Sequence, residues 1–156
     1  MRISVLSVGR RMPAWVDAGF GEYAKRMPRE CSLNLLEIDP VTRGKGVTTA
    51  RASALECHRL LKALPKGARV IALDVRGHSW DTEELTSRLR RWMMDGKDLA
   101  LLVGGADGLS EDCLARAEQR WSLSPLTFPH QLVRVMLAEQ MYRAWTLIQQ
   151  HPYHRG

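Results

Sequence analysis

From Leu99 to Val103 five apolar residues run without a charge and stop at Gly104-Gly105. An apolar run of this length, bounded by turn residues, fits a strand buried on both faces, as in a parallel sheet. The glycines leave bare backbone that something else can approach closely. In open α/β sheets, ligands bind just beyond the carboxyl ends of strands. Gly104 and Gly105 therefore have two readings: one wall of a small-molecule site, or a tight turn that needs positive φ.

The rest of the chain alternates strand and helix patterns. Ile3 to Val8 reads as a first strand, and Pro13 opens a helix with Val16, Phe20, Tyr23 and Met27 at helical spacing. Leu33 to Ile38 is a second strand, followed by a loop, Pro40 to Gly46, with two glycines and two cations. Ala50, Ala54, Cys57, Leu61 and Leu64 mark a second helix, and Val70 to Val75 a third strand that turns at Arg76 to Trp80. Asp81 caps a third helix, with Glu84 completing the box and Leu85, Leu89, Trp92 and Met93 facing inward. After the 99–103 strand, Ser110 caps a short helix. Ser122 to Phe128 reads as a fifth strand or an extended loop, and Pro129 starts a last helix reaching about Gln150. This predicts one domain over 1–156: an α/β fold with a mainly parallel sheet and helices on both faces.

Composition narrows the function. The 156 residues carry 23 Lys and Arg against 17 Asp and Glu, a net charge of +6 that favours a polyanionic partner such as RNA. No apolar stretch approaches the roughly 18 residues of a membrane span, and Arg2 to Gly9 is too short for a signal-peptide core, so a cytoplasmic protein is expected. Cys31, Cys57 and Cys113 are widely spaced with no CxxC pair, and the five histidines lack metal spacing, so reduced thiols and no metal are expected. The exposed cations expected to meet RNA are Arg43 and Lys45 in the glycine loop and Arg10-Arg11 after the first strand. Arg88, Arg90 and Arg91 read as a solvated helix face.

On the last helix Val133, Leu137, Met141, Ala144 and Ile148 form one apolar face. Val135, Ala138, Tyr142 and Trp145 add a second beside it, and only Arg134, Glu139, Gln140 and Arg143 interrupt. A helix apolar on most sides must be covered on most sides. A second copy of the chain is the economical cover, which predicts a homodimer.

Several chemistries are absent. There is no GxxxxGK[ST] loop, no GxSxG elbow, and the glycines spell GGxxG after the fourth strand instead of GxGxxG after the first. What remains is Gly104-Gly105, then WSLSPLTFPH (121–130), the apolar helix and the tail HPYHR (151–155). Together with VGRRMPAWVDAGFGEYAKRMP (8–28), the RGKG loop and LDVRGHSWDTEEL (73–85), these stretches resemble the RlmH-type large-subunit rRNA pseudouridine methyltransferases, small members of the SPOUT superfamily. The resemblance covers essentially the whole chain. One departure is Ala106, where many relatives carry proline.

The resemblance implies a C-terminal trefoil knot, an exception to the rule against knotted chains. It implies S-adenosylmethionine in that knot, contacted by Leu73, Gly104 and the run Leu123, Ser124, Pro125, Leu126, Thr127 and Phe128. It implies a homodimer and methylation of N3 of a pseudouridine in 23S rRNA, in the helix 69 region, on the assembled ribosome. The residues at these positions suit that chemistry: Leu73, Leu123, Leu126 and Phe128 offer an apolar slot for an adenine, and the Ser-Pro-Leu-Thr loop leaves backbone groups free. A pseudouridine N3–H is a weak acid, so some group must take its proton or stabilise the developing charge. Tyr153, His154 and Arg155 in the tail are the candidates, with His130 and Glu139 behind them; a frayed end is the plain alternative. A non-catalytic RNA- or ribosome-binding protein of the same fold is the competing reading.

Overall fold

The computed structural model describes residues 1–155, the side chain of Arg155 excepted. Five strands, β1 (Arg2–Val8), β2 (Ser32–Ile38), β3 (Arg69–Ser79), β4 (Leu99–Val103) and β5 (Gln119–Ser122), form one parallel sheet in the order β2-β1-β4-β3-β5. Helices α1 (Ala14–Ala24), α3 (Thr82–Asp95) and α5 (His130–Ile148) cover one face. Helices α2 (Thr49–Lys62) and α4 (Glu111–Arg116) cover the other.

Connection and face are coupled. Steps toward β2 (β1 to β2 through α1, β3 to β4 through α3) place their helix on the first face. Steps toward β5 (β2 to β3 through α2, β4 to β5 through α4) place it on the second. That keeps all four crossovers of one hand, as twisted strands require.

The period-2 alternation of the central strands divides the core. Ile3, Val5, Leu99, Leu101 and Val103 join the cluster under α1, α3 and α5, while Leu6, Val8, Ala100 and Leu102 join the one under α2 and α4. All five residues of β4 are buried. At about 25 cal/mol per Å² of apolar surface, each such leucine contributes roughly 2 kcal/mol before entropy is counted.

Several boundaries differ from the sequence reading, for identifiable reasons. β3 runs through the expected turn to Ser79, because after an irregularity between Leu73 and His78 it pairs with β5 again. Of the two readings of 122–128 the extended loop holds from Leu123 on, and β5 lies just upstream, sharing only Ser122 with that segment. On α2 the buried positions are Ala52, Glu56, Cys57 and Leu60, a stripe turned from the expected one because a carboxylate, Glu56, takes an inward place. Asp81 does cap α3, accepting from the Glu84 backbone N–H at 2.8 Å, and Gly96 ends that helix at φ 76°. Ser110 stands at the cap position of α4 but makes no side-chain cap bond.

Helix α5 lies between α1 and α3, which accounts within one chain for much of its two-faced apolar pattern; none of its large apolar side chains is fully exposed. Arg134, read as an interruption, is 0% exposed. Its guanidinium donates to Glu37 at 2.9 Å, to the Ser7 hydroxyl at 3.1 Å and to the Gly9 carbonyl at 3.4 Å, tying α5 to the carboxyl ends of β1 and β2.

Removing one partner of a buried ion pair leaves the other uncompensated. Because Glu37 still reaches water, Arg134→Ala is expected to cost about 3 kcal/mol, the low end of that range, and Arg134→Met less. Urea denaturation checks this; equal midpoints for wild type and Arg134→Ala would show that the buried pair is not what holds α5 down.

Candidate functional site

Beyond the carboxyl ends of β4 and β5, against the irregular middle of β3 and under the first turn of α5, lies a cavity of about 680 Å³. Its walls are three segments: residues 73–76 of β3, the loop 103–109 after β4, and the loop 123–130 after β5. Leu73, Gly104, Leu123, Ser124, Leu126, Thr127 and Phe128 all line it, whereas Pro125 does not. Val103, Leu109, Leu114 and Val133 add apolar surface, and Asp74 and Asp107 add carboxylates. Leu126 and Val75, 68% and 50% exposed, stand among the lining residues as open apolar side chains. Among the described residues the 123–128 loop makes only local hydrogen bonds: the Ser122 hydroxyl donates to the Ser124 carbonyl, and the Leu126 N–H donates to the Ser124 hydroxyl, each at 3.0 Å. Most of its backbone groups are therefore left for a ligand. His130, also on the wall, has its pKa lowered from the ordinary histidine value by partial burial and by the nearby Arg134 charge.

Of the two readings of Gly104-Gly105, the cavity places both on its wall, and the positive-φ turn falls to another glycine. Neither Gly104 nor Gly105 has positive φ; Gly108, at φ 74°, makes the left-handed turn. A Cβ on Gly104 would lie 2.5 Å from the Gly108 carbonyl carbon, so the loop folds back onto bare backbone. The Gly108 N–H closes it on the Gly105 carbonyl at 3.1 Å. Gly105 in turn rests on Val8, with Glu56 beside it.

Arg43 is not the free cation expected. Its guanidinium grips Glu56 at 2.6 Å and 3.0 Å and Asp107 at 2.8 Å, and it also donates to the Val41 carbonyl. The hydrogen bond to Glu56 holds its pKa above the ordinary arginine value. Glu56 accepts the Val41 N–H as well, at 3.0 Å. The 40–46 loop is thereby fastened to the 104–108 loop. Arg10 is likewise paired, with Asp39, and Arg88 bonds Glu84 and Gln119 while lying over the Trp80 ring. Lys45 has no ion-pair partner among the described residues.

The tail is not brought to the cavity of its own chain. Residues Pro152–Arg155 form a short 3-10 turn against α5. Tyr153 packs edge-on to Tyr142 with centroids 4.7 Å apart, its hydroxyl donates to Glu139 at 3.3 Å, and Arg143 lies over its ring. Burial pushes the Tyr153 phenol up to about 12, so it is a proton donor at neutral pH. Nδ1 of His154 is buried without a partner. Along a helix rising 1.5 Å per residue, Tyr142 stands about 13 Å beyond Val133 at the cavity. The role expected of Arg155 rests on its side chain, which lies outside the described residues.

Comparison with known proteins defines the class. Residues 1–154 match the family model described as "Predicted SPOUT methyltransferase". A "Probable Methyltransferase" from Bordetella pertussis Tohama I shares the fold at a TM-score of 0.57 with 17% identity, over 91% of this chain and 93% of its own. The chain belongs to the SPOUT methyltransferase family, and its relatives place it within the RlmH type. The proteins named ribosomal RNA large subunit methyltransferase H from Alkalilimnicola ehrlichii and Thioalkalivibrio sulfidiphilus are 61% and 60% identical to it. Those alignments cover 100% of both chains in the first case and 99% of both in the second.

Two substitutions, Gly104→Ala and Arg43→Ala, each with a comparison variant, test how the wall is built. Gly104→Ala forces a methyl into backbone and is expected to lower stability by about 1–3 kcal/mol; Gly21→Ala, in open space on α1, is expected to raise it by about 0.4–1 kcal/mol. Arg43→Ala leaves Glu56 buried and unpaired and is expected to cost about 3 kcal/mol, with Glu56→Gln recovering part of that in the double variant. Denaturant unfolding measures both, and simple additivity of the Arg43 and Glu56 changes would contradict a shared pair.

Proposed function

We propose that the chain is an S-adenosylmethionine-dependent methyltransferase acting on N3 of a pseudouridine in the helix 69 region of 23S rRNA. It works in the cytoplasm on the assembled ribosome, as a homodimer. The observation that carries this reading is the cavity: one pocket at the carboxyl edge of the sheet gathers Leu73, Gly104 and the 123–128 loop from three separate parts of the chain. The names of the full-length relatives give the substrate class.

The residues present fit the cofactor. Its volume lies within the few hundred to about a thousand Å³ typical of small-molecule sites. The apolar side chains of Leu73, Leu123, Leu126 and Phe128 suit an adenine, the free backbone of 123–128 suits its ring nitrogens, and Asp74 favours a cationic ligand, Asp107 being already paired with Arg43. S-adenosylmethionine supplies a methyl group already joined to a good leaving group, so the chain's task is alignment and handling of one proton. We read the segment after β5 as the knotted one: β5 ends at the outer edge beside β3, yet α5 returns to pack on β1 and β4, and the loop between them lines the cavity.

Proton handling falls to the tail in this reading. Tyr153, held protonated, donates to or stacks on the base; His154 accepts the N3 proton; Arg155 holds a phosphate or a base oxygen. Since the tail lies a long way down α5 from its own cavity, it serves the cavity of a second copy. The outer stripe of α5, with Leu132, Met136, Gln140, Arg143 and Leu147 half-buried, and the 59% exposed Trp15 on neighbouring α1 offer the surface for that copy.

The test uses purified protein and ribosomes lacking the modification. Wild type is expected to bind S-adenosylmethionine by calorimetry and to add one methyl to one pseudouridine by mass spectrometry of the rRNA. His154→Ala is expected to keep cofactor binding and lose about 10²-fold or more in rate, the scale of a lost general base. Mixing His154→Ala with the pocket-blocking Leu126→Arg is expected to restore part of the activity. No cofactor uptake would leave only the non-catalytic RNA-binding reading, and no recovery on mixing would place the tail's action elsewhere.

A further inference from the structure

Two of the four cations expected to meet RNA, Arg43 and Arg10, hold acids of their own chain. A different basic surface lies beside the cofactor cavity. Between residues 76–78 of β3 and residues 117–120 runs a second cavity of about 610 Å³, lined by Arg76, His78, Arg88, Glu118 and Arg120. Arg76 and Arg120 are exposed, and neither has an ion-pair partner among the described residues. Glu118, the only acid on the wall among the described residues, is already bonded to Arg69 at 2.6 Å. The groove therefore presents uncompensated positive charge.

Its position follows from the irregular stretch of β3. Trp121 of β5 pairs with Leu73 and again with His78, so residues 74–77 bulge out of the ladder. Gly77 lies on the Arg120–Trp121 backbone so closely that a Cβ would come within 2.6 Å of it. The bulge partitions the two cavities: Asp74 and Val75 face the first, Gly77 and His78 the second, and Arg76 lines both.

We propose that this groove binds the ribose-phosphate strand adjoining the target nucleotide, with Arg76 and Arg120 each neutralising a phosphate while the base enters past Val75 and Leu126. The proposal rests on the methyltransferase reading above and adds to it where the RNA strand runs. Charge complementarity selects the occupant: guanidinium pairs in an open, wet groove suit phosphate oxygens, and an acidic protein partner is the other outcome the test separates.

The test measures the Michaelis constant for ribosomes, and binding of an RNA hairpin carrying the target, as functions of salt for the full-length chain. Arg120→Gln is expected to raise the Michaelis constant severalfold without changing the calorimetric affinity for S-adenosylmethionine. Arg76→Gln with Arg120→Gln is expected to raise it at least tenfold and to flatten the log–log salt slope by about 1.4, at roughly 0.7 per single-strand phosphate contact. Arg90→Gln with Arg91→Gln, on the exposed face of α3, is expected to leave the slope unchanged. An unaltered slope in the groove variants, equal losses in the α3 variant, or weakening confined to a ribosomal protein contact with hairpin binding intact would each overturn the groove. Failure of wild type to methylate ribosomes would overturn the underlying activity instead, and the hairpin titration still reads the groove in that case.

Discussion

Glu56 is 2% exposed, a place where a carboxylate is unstable alone. Arg43 is what makes it tolerable, and the same guanidinium reaches Asp107 and the Val41 carbonyl. One buried charge thus fixes the relation of three segments: α2, the glycine loop before it, and the loop that ends β4. The 104–108 loop in turn forms the cavity wall. The pocket's shape depends on the Arg43–Glu56 pair, neither member of which lines it, so an interaction outside the cavity governs a ligand site.

The second constraint is steric. Gly104 and Gly108 approach so closely that backbone itself fills the space a side chain would take. The wall is therefore flat and polar at the main chain, with leucines and Phe128 opposite. Arg134 anchors the other side, holding the first turns of α5, and with them His130 and Val133, against the ends of β1 and β2. Loops supply the cavity, yet paired arginines, Arg43 and the buried Arg134, bolt them to helices and strands, which limits the freedom such segments usually have.

Much of this was legible in the residues. The charge-free run at Leu99–Val103 and the alternation around it led to the parallel sheet, since burial on both faces leaves a pattern that sequence displays directly. Gly104 and Gly105 were readable as a site wall from the run they end, whereas the other cavity-lining residues came from a resemblance carried most densely by the 121–155 segment. What escaped notice was pairing across distance. Arg43 and Arg134 look like surface cations because their partners, Glu56, Asp107 and Glu37, lie 13, 64 and 97 positions away. The inward glutamate within the α2 stripe was the one available signal. The β3 bulge was hidden for a related reason: Arg-Gly-His-Ser-Trp reads as a turn unless one knows that β5 returns to pair with it.

The most direct measurement is a crystal structure of the chain grown with S-adenosylmethionine. The cofactor is predicted to lie between the Gly104–Gly108 backbone and Leu123–Phe128, its adenine against the leucines and its methyl facing the mouth between Val75 and Leu126. Cofactor density at any other place on the molecule, or an empty cavity in crystals grown at saturating cofactor, would contradict the assignment of this pocket.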